Sequence, residues 1–264
     1  LFTPEKLSKD FHFHYENQET KEYNIETRDG ATINGLHFLT KDPKGVVFYL
    51  KGNSKSIKGW GKFAVDFTRH NFDVIMVDYR GFGKSTGRRT QKAVKRDMQV
   101  IYNKIKEKVP EKYIILYGRS LGSGFATKLA SMNHPRMLIL DAPYYSLSKV
   151  AKKYIPFMPL SLLIKFPMPT YKWLKYVKCP IHIVHGTDDQ LIPYKSSVRL
   201  SKINPELTTL YSVIGGGHKD LNRFESYHKM LTDIINSKPH KIDLEGSSIN
   251  VKHTSKSKKA NAKA

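Results

Sequence analysis

The run Tyr113-Ile114-Ile115-Leu116-Tyr117-Gly118-Arg119-Ser120-Leu121-Gly122-Ser123-Gly124 decides how this chain reads. An apolar, β-prone stretch ends at Gly118, Ser120 follows two positions later, and Gly122 two positions after that. A helical pattern begins directly beyond. Gly-x-Ser-x-Gly between a strand and a helix predicts a nucleophile elbow. In such a turn the residues flanking the serine come too close to the neighbouring strand and helix for a side chain, and glycine tolerates the approach. The serine itself takes a strained backbone conformation that lifts its hydroxyl above the end of the sheet. The Leu121 backbone N–H, at the start of the helix, then points toward whatever Ser120 attacks.

Working outward, strand and helix patterns alternate. Tyr23–Thr27 and Thr32–Leu39 read as two strands joined at Arg28-Asp29-Gly30, an Asp-Gly hairpin signal. Val46–Leu50, Phe72–Asp78, Met137–Asp141, Ile181–His185 and Leu207–Ile214 read as further strands. Trp60, Phe63, Phe67 and His70 recur at helical spacing and predict one helix with an aromatic face packed in the core. Val94, Met98, Ile101, Ile105 and Val109 mark a long helix stopped by Pro110. Further helices are expected from the elbow through Met132, over Pro193–Ile203 and over Asp220–Asn236. Strands that are apolar throughout, separated by helices, predict a mostly parallel sheet covered on both faces, with antiparallel hairpin strands at one edge. The loop Tyr79-Arg80-Gly81-Phe82-Gly83-Lys84-Ser85 has neither Walker nor Gly-x-Gly-x-x-Gly spacing and reads as a structural turn.

The expected organisation is a polar arm over 1–20, a single α/β core over 21–143 and 179–236, a short helical cap inserted at 144–178, and a basic tail, expected to be disordered by its composition, over 237–264. The cap is apolar and punctuated by proline, through Ile155-Pro156-Phe157-Met158-Pro159-Leu160 and Leu162–Pro169, with lysines at its rim.

Composition narrows the function. With 264 residues, 39% of them hydrophobic, the chain can bury a large core. No stretch approaches the roughly 20 apolar residues of a membrane-spanning helix. The lone cysteine, Cys179, excludes an internal disulfide. The net charge of +22 comes mostly from lysines spread over nearly every segment. Without a nucleic-acid-binding motif it does not predict specific nucleic-acid binding, although attraction to an anionic membrane surface is consistent with it. The chain opens at Leu1 rather than at methionine. The expectation drawn from this is membrane association through a segment upstream, with a cytoplasmic location as the alternative.

Acyl transfer needs a nucleophile, a base, a group that orients the base, and donors for the developing oxyanion. Ser120 is the candidate nucleophile. His218, in the glycine-rich loop Gly215-Gly216-Gly217-His218, is the candidate base, and Asp189, after the penultimate strand, is the candidate orienting acid. Their order is Ser…Asp…His. Asp141 ends a strand nearer the elbow and stays open as an alternative acid, whereas Asp188 would point differently from its neighbour. His185 reads as structural, and His134, His182 and His228 have no loop placement suited to the base. The oxyanion donors expected are the backbone N–H groups of Leu121 and of Asn53, in the loop Gly52-Asn53-Ser54. No metal site and no cofactor is expected.

The chain resembles the α/β-hydrolase-fold serine hydrolases of the BEM46-like group. The resemblance is carried by Gly52-Asn53-Ser54, Asp78–Ser85, Gly118–Gly122, Asp141-Ala142-Pro143, His185–Asp189 with Ile192-Pro193, and Gly217-His218, and it covers about residues 2–236. It implies a serine hydrolase that cleaves carboxylic ester or thioester bonds through an acyl-enzyme, with the acyl group of a small-molecule or lipid substrate held under the cap. A peptidase with the same triad, or a binding protein that keeps the fold, are the alternatives. Where the group has His-Gly before the oxyanion residue, this chain has Lys51-Gly52, a departure expected to alter loop rigidity and pocket charge.

Overall fold

Strands that read as unbroken apolar runs occupy the middle of a single sheet, where both faces are covered. The computed structural model describes residues 3–154 and 166–237. In it β1 (Glu19–Glu26), β2 (Thr32–Leu39), β3 (Val46–Leu50), β4 (Asp73–Val77), β5 (Ile114–Arg119), β6 (Met137–Asp141), β7 (Ile181–Gly186) and β8 (Thr208–Val213) form an eight-stranded sheet. Its order is β1-β2-β4-β3-β5-β6-β7-β8. The pairs β1–β2 and β2–β4 are antiparallel, and every pair from β4 to β8 is parallel. Every residue of β3, β5 and β6 is buried, as the absence of alternation in their sequences requires.

Alternate residues of the central strands feed two apolar layers. Phe48, Leu50, Ile114 and Leu116 face one layer, and Val47, Tyr49, Ile115 and Tyr117 face the other. Eight α-helices lie among the described residues: α1 (Ile57–Trp60), α2 (Val65–Thr68), α3 (Gln91–Lys106), α4 (Leu121–Ala130), α5 (Leu147–Tyr154), α6 (Thr170–Leu174), α7 (Lys195–Ser201) and α8 (Glu225–Asn236). Helix α3 presents Val94, Met98, Ile101 and Ile105 to the first layer, and the Thr90 hydroxyl caps it by accepting the Ala93 N–H at 3.1 Å. Helix α8 covers the second layer with Tyr227, Leu231 and Ile234.

The elements depart from expectation in three places. Strand β1 begins at Glu19, four residues early, because its whole length pairs with β2 while its exposed charged residues mask the strand pattern. The helix expected across Trp60–His70 is interrupted by a 3₁₀ turn over Gly61–Ala64. Gly59 and Gly61 weaken helix propensity there, and a Cβ on Gly61 would meet the Tyr15 ring at 2.3 Å. Only Phe67 then reaches the core, while Trp60 and Phe63 stay half-buried. The closing helix likewise splits into a 3₁₀ turn, Leu221–Arg223, and α8.

Of the segment 144–178, the described parts pack down on the core. Phe166 and Met168 join the first layer, the Leu147 N–H donates to the Met168 carbonyl at 3.3 Å, and Tyr145 stacks on Tyr171. The apolar stretch 155–165 and the tail beyond Ser237 lie outside the described residues. No helix among the described residues is long and apolar enough to cross a membrane.

Candidate active site

The C-terminal ends of the parallel strands converge on Ser120, the position where open α/β sheets place their ligands. Strand β5 runs directly into the elbow. A Cβ on Gly118 would lie 2.7 Å from Ala126 Cβ, the Gly122 carbonyl and Ser123 Cα, and one on Gly122 only 1.8 Å from the Leu50 carbonyl. Ser120 itself sits at φ 51°, ψ −117°, a conformation that L side chains rarely adopt. Backbone bonds hold it there: the Ser120 N–H donates to the Asp141 carbonyl at 2.9 Å, and the Ser120 carbonyl accepts the Ser123 N–H at 3.0 Å and the Ser123 hydroxyl at 2.6 Å.

His218 comes from the loop after β8. Its Nε2 lies 3.0 Å from Ser120 Oγ and its Nδ1 2.7 Å from Asp189 Oδ2. The carboxylate can only accept, so Nδ1 carries the proton and Nε2 of the neutral ring accepts the serine hydroxyl. Asp189, in the loop after β7, is buried. Its Oδ1 accepts the Leu191 and Ile192 N–H groups at 2.9 and 2.7 Å. Burial opposes ionisation of Asp189, but hydrogen bonds from His185, His218 and the Ile192 backbone outweigh it and hold the carboxyl well below the ordinary carboxylate range.

His185 is a second donor to Asp189, with Nε2 3.0 Å from Oδ2. The same nitrogen lies 3.0 Å from the Ile192 carbonyl, so Nε2 is the protonated one, and Nδ1 accepts the Ser197 hydroxyl at 2.6 Å. A histidine ending a buried strand gave no sign in the sequence of supporting the acid. The rival acid, Asp141, goes elsewhere. Its Oδ2 accepts Tyr117 and Tyr227 hydroxyls at 2.5 and 3.1 Å and lies 3.6 Å from Arg119 Nε. Asp188 bonds the Thr187 hydroxyl, His182 lies beside the Tyr211 hydroxyl, and His228 meets Asp66 and the Asn222 carbonyl.

The loop that carries Asn53 is fixed from both sides. Above it, the Thr3 N–H donates to the Asn53 carbonyl at 3.2 Å and the Lys55 N–H to the Thr3 carbonyl at 2.9 Å, while Glu5 accepts the Ser56 N–H and hydroxyl. Beneath it, the fully buried Lys51 ammonium reaches the Lys55 carbonyl at 3.2 Å, Asp78 at 3.4 Å and the face of Phe82 at 3.9 Å. Asp78 in turn accepts the Ile57 N–H at 3.0 and 3.1 Å. Burial lowers the pKa of Lys51 and raises that of Asp78, each change opposed by the partner's charge. Lys51 therefore corrects one expectation: its charge lies under the loop and adds none to the pocket.

A cleft of about 370 Å³ opens over Ser120, with His218, Asn53, Trp60, Phe63 and Leu191 among its lining. No described residue of 144–178 lines it. Trp60 and Phe63, expected in the core, instead form a wall of the cleft, a consequence of the broken helix that carries them.

Comparison with known proteins adds to this geometry. The family model described as serine aminopeptidase, S33, matches residues 41–176. An uncharacterized protein of Mycobacterium tuberculosis is 28% identical over 200 residues, covering 74% of this chain and 71% of the relative. The lysophosphatidylserine lipase ABHD12 of Danio rerio is 24% identical over 230 residues; that match covers 74% of this chain and 59% of the lipase, so the chain spans less than two thirds of that protein. Among solved structures, the Pyrococcus furiosus esterase Pf2001 matches with a TM-score of 0.69 at 19% identity, covering 89% of this chain and 96% of the esterase. That likeness is one of fold.

Proposed function

The chain belongs to the serine aminopeptidase S33 family of α/β-hydrolase-fold serine hydrolases, and on that premise we propose that it cleaves carboxylic esters or thioesters through an acyl-enzyme. The observation that carries this reading is the unbroken chain Asp189–His218–Ser120, with links of 2.7 and 3.0 Å, ending at a serine held in a strained elbow. Ser120 Oγ attacks the carbonyl carbon as His218 Nε2 takes its proton. Asp189 holds the Nδ1–H tautomer and stabilises the imidazolium that forms. The N–H groups of Leu121 and Asn53 receive the oxyanion; the first N–H groups of a helix have no acceptor within it, so Leu121 suits the role. His218 then protonates the departing alcohol or thiol. A water, deprotonated by the same nitrogen, releases the acid and restores Ser120.

Support for an ester substrate comes from the names of the lipase and esterase relatives. For the acyl group, Trp60, Phe63 and Leu191 supply apolar lining; a contribution from the cap rests on its undescribed stretch. The family's own description favours a second reading, peptide hydrolysis by the same three residues.

The test is labelling by a fluorophosphonate probe, followed by turnover of matched ester, thioester and aminoacyl-amide substrates. Wild-type protein is expected to label and to turn over ester or thioester, and Ser120→Ala to lose both, with kcat down about 10⁴- to 10⁶-fold. Amide turnover without ester turnover would transfer the assignment to the peptidase. A folded wild type that neither labels nor hydrolyses any of the three would end the enzyme reading.

A further inference from the structure

We propose that the substrate carries a negative charge, a phosphate or a carboxylate, close to the bond that is cleaved; this rests on the hydrolase reading above. The carriers are Lys55, Lys62, Arg119 and Lys219, which all line the Ser120 cleft. No aspartate or glutamate is among the described residues lining it. The three lysines come from separate segments, namely the Asn53 loop, the 3₁₀ turn between α1 and α2, and the loop of His218. All three are exposed, and none of them is in an ion pair among the described residues.

The surrounding carboxyls are committed elsewhere. Glu5 holds Ser56 and faces Lys58, Asp220 accepts the Gly217 N–H, and Asp188 accepts the Thr187 hydroxyl. Asp66 is buried beside Arg69 and His228. Asp141 and Asp189 are buried in the contacts already described. Glu5 also feels the charge of Lys55, but none of these carboxyls lines the cleft or forms an ion pair with Lys55, Lys62 or Lys219.

Arg119, at the base of the cleft, adds a guanidinium whose charge is shared with Asp141, 3.6 Å from its Nε. The guanidinium is buried beside the Trp60 and Phe63 rings, at 5.7 and 5.2 Å, and lies 3.5 Å from the His218 carbonyl. A general surplus of lysine explains lysines on every face. It does not explain a cleft whose ionisable lining, His218 apart, is cationic and has aromatic walls. Like charges focused in a concave site raise the local concentration of an anion, and the aromatic wall accepts the hydrocarbon part of the same molecule. The ligand chemistry that fits is an amphiphilic, anionic ester or thioester.

Two matched pairs of esters test this: 4-nitrophenyl hexanoate against mono-4-nitrophenyl adipate, with the charge on the acyl side, and 1-hexanoylglycerol against 1-hexanoylglycerol 3-phosphate, with the charge on the alcohol side. In at least one pair the anionic member is expected to have a kcat/KM about 10- to 100-fold higher at low salt. The ratio should shrink at high salt and fall toward one in the triple variant Lys55→Gln/Lys62→Gln/Lys219→Gln, while Lys21→Gln on β1 keeps it. Melting by circular dichroism verifies that the variants are folded. Equal turnover within both pairs overturns the proposal and leaves the hydrolase reading intact. So does a ratio that the triple variant does not change. A lysine dependence confined to neutral ester carried in phosphatidylglycerol vesicles would assign the lysines to membrane attachment and overturn it as well. Failure to turn over any of the four esters, with no fluorophosphonate labelling, defeats the hydrolase reading itself.

Discussion

Asp141 ends β6 and Asp189 lies in the loop after the adjacent parallel strand β7, both are buried, and their surroundings differ in one respect. Asp189 is bonded to two imidazoles. Asp141 is bonded to two tyrosine hydroxyls and faces a guanidinium. Arginine cannot give up its proton, so the charge next to Asp141 is permanent and no base can be made there. An imidazole changes its charge within the reach of catalysis. A carboxylate in this fold is thus assigned to chemistry or to support by its neighbour, not by its depth. Asp78, paired with the Lys51 ammonium beneath the Asn53 loop, is a third buried carboxylate and belongs with the support.

Separating the two roles is the most direct way to break the comparison. Asp189→Asn is expected to lower kcat on an ester substrate by about 10³- to 10⁴-fold, because His218 loses the acceptor that fixes its tautomer. Asp141→Asn should leave most of kcat but cost about 3–5 kcal/mol of stability, since Arg119 stays buried without its counter-charge. Kinetics and guanidinium unfolding of both variants measure this. If Asp141→Asn loses as much kcat as Asp189→Asn does, the division of roles is wrong.

Lys51→Met sharpens the comparison from the third carboxylate. It strands Asp78 in the core and removes the bond to the Lys55 carbonyl, with an expected loss of about 3 kcal/mol and a fall in kcat larger than any change in KM. Unchanged unfolding midpoint and unchanged kcat would show that the loop does not depend on the pair.

The smallest effect concerns pH. The folded-state pKa of Asp189 lies below its ordinary value of 3.8. Its ionised form therefore contributes its full stabilisation above about pH 4, and that contribution is lost as pH falls through the folded-state value. Thermal melting between pH 6 and pH 2 should show a steeper acid decline for the wild type than for Asp189→Asn. Parallel curves would mean that the hydrogen bonds to Asp189 do not favour its ionised form.

How much of this was legible in the sequence depends on whether a feature is local. The elbow, the Asp29-Gly30 hairpin and the order of Ser120, Asp189 and His218 are written in short motifs tied to turn geometry. What was missed is non-local. Trp60 and Phe63 share helical spacing with Phe67, but the helix is interrupted over Gly61–Ala64, where Gly61 packs against the distant Tyr15, and two of the three rings line the cleft. The exception is the bond from His185 to Asp189, which spans only four residues but is marked by no motif. The pairing of Thr3 and Glu5 with residues 53–56 leaves no periodic signal at all. For Lys51, the residue type suggested charge in the pocket, and burial sends that charge the other way.

Thr3 both bridges Ser54 and lines the cleft. Thr3, the first of the described residues, thus sits at the edge of the cleft. For anyone building fusions of this protein, an affinity handle or fluorophore at that end would crowd the doorway and tug on the strap that steadies the Asn53 loop. Immobilisation through the same end would face the opening toward the support.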